Sequence, residues 1–313
     1  GWGREVFALA IAIQNLMWGL GQPIAGMIAD RYGTGRVLAT GGLLYALGIY
    51  GMAHATTPGM FHITAGLVVG LGMSAASFSL VLAALGRMVD DKHRNLAFGV
   101  CTAAGSLGQF LLVPIGQAFL AEYGWSVALT LLALMVALII PLSAAMRGRA
   151  EATPGAEKQT MGQALTEARQ HSGYVYLTAG FFVCGFHISF IGTHFPAYIT
   201  DRGLSPELGA QALAMIGLFN LFGAILAGIL GNRFKKKNLL AWIYLGRAVF
   251  IALFVFLPIT STTVLVFSAA MGLTWLSTVP LTSGIVAQVF GPRYMGTLFG
   301  FVFRQLKSYV CAQ

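Results

Sequence analysis

Cys184, His187, His194 and Tyr198 fall 3, 7 and 4 residues apart, a spacing that places them on one helical face. His187 and His194 lie two turns apart inside a run of apolar residues at 174–198. An ionisable side chain in such a run is costly and marks a functional site by default. A histidine there donates a hydrogen bond to a carboxylate or carries a proton near neutral pH. The structural alternative is a pair of neutral rings bonded between helices, and it weighs more for His194, which nears the end of the run before Pro196. Arg247 is the only arginine deep inside an apolar run, and no Asp or Glu lies at similar depth. An unpaired cation suits an anion, and an arginine bonded to backbone carbonyls is the structural alternative. Ser74, Ser77, Trp275 and Thr278 offer further hydrogen bonds and an aromatic wall, although Ser and Thr are also common contacts between helices.

The elements that position these residues follow from composition. Of 313 residues, 57% are hydrophobic and 9% charged. A soluble domain carries about 25% charged residues, so lipid must solvate much of this surface. Apolar runs long enough to span a bilayer lie near 6–28, 37–55, 61–86, 96–121, 125–146, 174–198, 209–231, 239–258 and 263–289. A tenth begins near Gly296 and stops at Phe303. The expected fold is an all-α membrane bundle of about nine to ten transmembrane helices, with the 40 glycines set inside the runs, where small residues let helices approach.

Charge sorts the connecting segments into two sets. One holds Arg31, Arg36, Arg87, Lys92, Arg94, Arg147, Arg149, Lys158, Arg169, Arg233, Lys235, Lys236, Lys237 and Arg293, and the alternate set holds only Arg4 and Arg202. Basic loops stay in the cytoplasm, so loops 30–36, 87–95, 147–173 and 232–238 are expected there. This distribution also disfavours nucleic acid as the partner of the +9 net charge. The stretch 147–173 reads as a linker with a short interfacial helix, since Met161, Ala164, Leu165 and Ala168 keep a weak amphipathic spacing. No phosphate-binding loop, paired metal ligands or nucleophile–base set is present in the sequence. Neither an enzyme nor a cofactor is therefore expected.

The sequence repeats itself at long range. Gly26-Met-Ile-Ala-Asp30-Arg31-Tyr32 returns after 202 residues as Gly228-Ile-Leu-Gly-Asn232-Arg233-Phe234. Gly70-Leu71 returns as Gly272-Leu273 at the same offset, and Leu96-Ala-Phe98-Gly99 as Thr297-Leu-Phe299-Gly300 at 201. Parallel repeats of about six helices fit this pattern. Residues 1–146 form the first half on this reading and 174–303 the second, with an atypical end at 304–313. The first half lacks a partner for the run at 174–198, so helices two to ten and the start of eleven are expected within a twelve-helix protein. A chain without its first helix is expected not to transport by itself.

Gly26-x-x-x-Asp30-Arg31-x-Gly33-x-x-Arg36 resembles the signature loop of the major facilitator superfamily, between its second and third helices. The resemblance covers all but the last ten residues. Thr34 and Gly35 depart from the basic residues usual there, and Asn232 replaces the acid in the echo that includes Arg233. In such a loop the carboxylate of Asp30 can accept from a neighbouring helix N-terminus and from a nearby arginine, forming in one gating state and breaking in the other. Gly26 and Gly33 permit close approach and a sharp turn. Phe195-Pro-Ala-Tyr-Ile and Leu281-Thr-Ser-Gly look like bacterial members near the monocarboxylate and oxalate–formate carriers. The resemblance implies a monomeric carrier in the bacterial inner membrane, with a cavity lined by 61–86, 174–198 and 263–289. It would move a small organic anion by alternating access, with a proton or in exchange. A drug or metabolite efflux carrier and a non-transporting membrane protein stay open as alternatives.

Overall fold

The structure is a computed structural model, and it describes residues 2–146, 161–291 and 294–307. Arg147, Arg149, Lys158, Arg293 and the end of the atypical tail lie outside these residues. Among the described residues all regular structure is helical. The chain runs through α1 (Arg4–Tyr32), α2 (Thr34–Ala53), α3 (Pro58–Phe61), a π-helical turn (His62–Val68), α4 (Val69–Ala75) and α5 (Phe78–Met88). It continues through α6 (Asp91–Ala137), α7 (Ile139–Leu142), a 3-10 turn (Ser143–Met146) and α8 (Met161–Gln170). The remaining elements are α9 (Ser172–Asp201), α10 (Pro206–Arg233), α11 (Lys236–Phe256), α12 (Ser261–Thr274), α13 (Thr278–Phe290) and α14 (Met295–Lys307).

Eight helical segments among the described residues are long and apolar enough to cross a membrane. α1 is 29 residues long but is not among those eight, because it carries Gln14, Asn15 and Gln22 in its interior. Large apolar side chains point outward, with Phe256 87% and Trp242 69% exposed, as lipid-facing surfaces require. This is a multi-pass integral membrane protein. The expected linker helix exists as α8, which buries Ala164 and Ala168.

Two of the expected continuous runs are broken. The run at 263–289 divides into α12 and α13 across Trp275–Ser277. Pro280, the third residue of α13, explains this. It has no N–H, and in an unbroken helix its ring would strike the carbonyl of residue 276. The run at 61–86 divides between α4 and α5, where Ala76 takes φ −96° and ψ 31°. The α6 segment turns at Gly124, whose φ of 73° and ψ of 177° separate the two runs expected there.

Contacts group the chain into two compact units. One comprises Gly1–Met88, Ile115–Val183 and Val289–Gln313, and the other Val89–Pro114 and Cys184–Gln288. In the first, α1 packs along α14 and α4. A Cβ on Gly26 would sit 2.5 Å from the Gly296 carbonyl oxygen, so the two backbones touch. The second unit has a core of Ile191, Phe195, Ile199, Leu208, Ile216, Phe254, Phe267 and Met271. Phe254 and Phe267 stack there at 4.2 Å between centroids. Gly99 and Gly228 form this unit's close crossing, because a Cβ on Gly228 would lie 2.7 Å from the Asn95 oxygen and 3.0 Å from the Gly99 Cα.

That crossing yields a test. Gly228→Leu forces apart backbones that cannot yield, at a cost of about 1–3 kcal/mol. The expected drop in thermal midpoint in detergent is about 5 °C or more. Gly217→Ala, where a Cβ meets nothing within 4 Å, should leave the midpoint unchanged or raise it slightly, since alanine favours a helix interior over glycine.

Candidate functional sites

The first cluster gathers where α1 ends. Gly33 closes that helix at φ 102°, a conformation that favours glycine, and its N–H bonds the Ala29 carbonyl at 2.9 Å. The turn sets Asp30, only 8% exposed, against α14 and α5. Oδ2 of Asp30 accepts from the Thr297 backbone N–H at 2.8 Å and from its hydroxyl at 2.7 Å. Thr297 lies in the first turn of α14, where N–H groups have no partner within the helix. Oδ1 of Asp30 pairs with Arg87 Nη1 at 3.1 Å, and Arg87 also donates to the Thr34 hydroxyl. One buried carboxylate thus ties three helices together.

Gly26, Asp30 and Gly33 therefore converge as a constellation. Arg31 and Arg36 do not join it; both are exposed, and Arg31 lies over the Tyr32 ring at 5.3 Å. Arg233 likewise lies over the Phe234 ring at 5.9 Å. Sequence reasoning placed Arg87 among the topology charges and missed it as the partner of Asp30. Its position at the end of an apolar run, level with Asp30, was the available signal.

The second cluster surrounds the break between α12 and α13. The break strips carbonyls and an N–H of their helical partners, and in a membrane these must be satisfied within the protein. Arg247, 0% exposed, donates from Nη2 to the Thr274 and Trp275 carbonyls and from Nη1 to Cys184 Sγ at 3.1 Å. Asn220 accepts from the Leu276 N–H at 2.9 Å and donates to the Ser106 hydroxyl at 2.6 Å. Cys184 also meets the Thr278 hydroxyl at 3.2 Å. The break is clamped from α11 on one side and α10 on the other.

Three buried polar atoms in this cluster have no hydrogen-bond partner among the described residues: Arg247 Nε, His187 Nδ1 and Tyr244 OH. The Arg247 guanidinium carbon lies 5.7 Å from the Tyr244 ring centre. Ion pairs among the described residues are Arg87–Asp30 and Arg94–Asp91, so no carboxylate neutralises Arg247. Its carbonyl and thiol partners occupy Nη1 and Nη2 and leave both Nε and the charge uncompensated.

His187, Arg247, Thr278 and Trp275 thus gather at one place. His194 stands apart, exposed, with its ring 4.9 Å from that of Phe190. Ser74 and Ser77, in the other unit, spend their hydroxyls locally. Ser74 donates to the Leu71 carbonyl at 2.7 Å, and Ser77 pairs with Ser79 at 2.9 Å. Cys184, which shares the candidate face with His187, carries the cluster with Arg247 together with Tyr244 and Asn220, neither of them a candidate site residue from sequence. The sequence held one signal for their arrangement, Pro280, which marks where a helix must open.

A profile of the Major Facilitator Superfamily matches residues 1–306. The chain belongs to that superfamily. Among curated relatives, monocarboxylate transporter 13 of Rattus norvegicus is 27% identical over 293 residues, covering 91% of this chain and 65% of the relative. The MFS-type transporter YcxA of Bacillus subtilis is 25% identical over 313 residues, covering 96% of this chain and 75% of YcxA. The chain spans 65% and 52% of the lengths of the rat and Bos taurus monocarboxylate transporter 13 proteins. Solved superfamily structures share the fold. FucP in its outward conformation aligns with TM-score 0.77 at 14% identity, over 100% of this chain and 82% of FucP. The human organic anion transporter TETRAN aligns with TM-score 0.66 at 20% identity, over 97% of this chain and 75% of that one.

The Asp30 cluster makes a direct prediction. Asp30→Asn leaves Arg87 buried without its counter-charge and should cost about 3 kcal/mol. Adding Arg87→Gln removes the stranded cation, so the double variant should unfold at a higher temperature than the sum of the single effects implies. Strictly additive midpoints in detergent would show that the two residues are uncoupled.

Proposed function

We propose that the protein is a secondary transporter that moves a small monocarboxylate-type anion by alternating access, coupled to a proton or in exchange. Arg247 carries this reading. It is a fully buried cation without an acidic partner among the described residues, and its own Nε, His187 Nδ1 and Tyr244 OH have no bond. A buried charge is tolerated when a counter-charge compensates it, and a substrate carboxylate is a counter-charge that comes and goes. Its oxygens accept from the Arg247 Nε–H, the Tyr244 hydroxyl and a protonated ring nitrogen of His187. The relatives named as monocarboxylate transporters support the same substrate class.

His187 is the group that can take a proton beside the carboxylate, because a bound anion offsets the neighbouring Arg247 charge. The Asp30 cluster is the gate on this reading. Its bonds to Thr297 and Arg87 hold α1, α14 and α5 together in one state and release in the other. The remaining expectations join this proposal. Two halves, 1–146 and 174–303, are joined by the 147–173 linker, with basic loops cytoplasmic in a bacterial inner membrane and the protein a monomer.

The test separates charge from proton. Lactate should raise the thermal midpoint of the purified protein saturably, and labelled lactate should enter proteoliposomes that hold the full twelve-helix protein down an imposed proton gradient. His187→Gln keeps a hydrogen-bonding side chain that cannot titrate, so lactate should still bind while the pH dependence of uptake flattens. Arg247→Gln should weaken lactate binding by about tenfold or more, the loss expected for one charge-assisted contact. Unchanged lactate binding in Arg247→Gln protein would remove the site. Drug resistance on expression without any response to carboxylates would favour an efflux carrier.

A further inference from the structure

The repeat relates two helix-end clusters, each contained within one compact unit. An offset of 202 takes Gly26 to Gly228, Asp30 to Asn232 and Thr34 to Lys236. An offset of 201 takes Arg87 to Gln288, Asn95 to Gly296 and Gly99 to Gly300. The contacts follow the same mapping. Gly26 abuts Gly296 on α14, and Gly228 abuts Asn95 and Gly99 on α6. Arg87 donates to Thr34 in the first cluster; in the second, Lys236 donates to Gln288 at 3.0 Å. The cation has changed places within the pair.

The acid has not been replaced. Asp30 gives the first cluster a carboxylate that neutralises Arg87 and caps α14. Asn232 in the second cluster accepts from Asn95 Nδ2 at 2.8 Å and brings no charge. Around it lies a cavity of about 540 Å³ lined by Lys92, His93, Asn95, Asn232, Arg233 and Lys236. The one acid in its wall, Asp91, is engaged by Arg94. Lys236 has a neutral hydrogen-bond partner in Gln288. It also opens α11, whose N-cap residue Lys235 makes no side-chain cap and whose first turn holds no acid. The positive end of that helix dipole adds to the side-chain charge. Asn95, 5% exposed, is part of the cavity wall, while its Oδ1 is buried against Gly284.

We propose that this cavity binds a phosphate-class oxyanion from outside the chain, which does for the second cluster what the Asp30 carboxylate does for the first. Several cations with one engaged acid call for negative charge, and convergent lysine, arginine and helix-end donors match a tetrahedral oxyanion. Hydrogen phosphate and the phosphoglycerol headgroup of a membrane lipid share that chemistry. Occupancy would tie α10 and α11 to the start of α6 through charge, making the second cluster's closure depend on its ligand. The site is separate from Arg247, and it stands or falls independently of carboxylate transport.

Thermal unfolding of the purified protein tests this with two probes. Inorganic phosphate is titrated at constant ionic strength against chloride, and phosphatidylglycerol is compared with phosphatidylcholine in mixed micelles. A saturable rise in midpoint with phosphate assigns the free anion as a ligand, and a rise with phosphatidylglycerol assigns the lipid headgroup. Asn232→Asp supplies an internal carboxylate, so it should unfold at a higher temperature than wild type without either probe. The half-maximal concentration for whichever probe acts should rise about tenfold or more in this variant. Lys236→Gln should raise that concentration to a similar extent, and it reads the site even where Asn232→Asp yields no folded protein. No response of wild-type protein to either probe, or a response unchanged in both variants, overturns the proposal.

Discussion

A helix opened inside a membrane exposes backbone groups that lipid cannot satisfy, and this constraint organises the second unit. The break at Trp275–Ser277 frees the Thr274 and Trp275 carbonyls and the Leu276 N–H. Each such group left alone in hydrocarbon costs several kcal/mol. Arg247 and Asn220 meet them from α11 and α10. An arginine is the side chain suited to the carbonyls, since its planar fork reaches several acceptors at once. Its use there has an electrostatic consequence. The freed carbonyls are satisfied while Nε stays unbonded and the positive charge remains, so the proposed anion would meet a group the clamp already holds in place. The two readings of Arg247 that sequence leaves open, carbonyl clamp and anion site, are compatible within one side chain.

A carboxylate plays the corresponding part in the first unit. Asp30 stands at the end of α1 and binds the unsatisfied start of α14 together with Arg87. The same offset that maps α1 onto α10 puts Asn232 at the equivalent place in the second unit, among cations. The repeat keeps the glycine crossing and alters the charges: the first cluster holds its own carboxylate, whereas Asn232 brings none to the second.

Much of the fold could be read from the residues because bilayer thickness sets the length of each apolar run. The runs at 209–231 and 239–258 appear as α10 and α11 within a few residues. The turn at Gly33 was legible because its place after a charged helix end asks for a residue free to take positive φ. The partners of Asp30 were harder to read, because Arg87 and Thr297 are 57 and 267 residues away and only the place of Arg87 at the end of an apolar run points to one of them. The breaks were hidden because apolar periodicity continues across them. Pro280 marks one of them, whereas the opening after Ala75 has no comparable residue. Arg247 and His187 stood out as ionisable groups in apolar runs, yet their meeting with Cys184 and Tyr244 depends on how α9 and α11 pack.

Whether the uncompensated charge of Arg247 receives a substrate carboxylate can be seen by anomalous diffraction from crystals soaked with a bromine-labelled short carboxylate, such as bromopropionate. A bromine peak is expected beside the Arg247, His187 and Tyr244 cluster, with a carboxylate oxygen in hydrogen-bonding reach of Arg247 Nε. A fully occupied carboxylate elsewhere in the protein, with the three polar atoms of the cluster still unbonded, would contradict it.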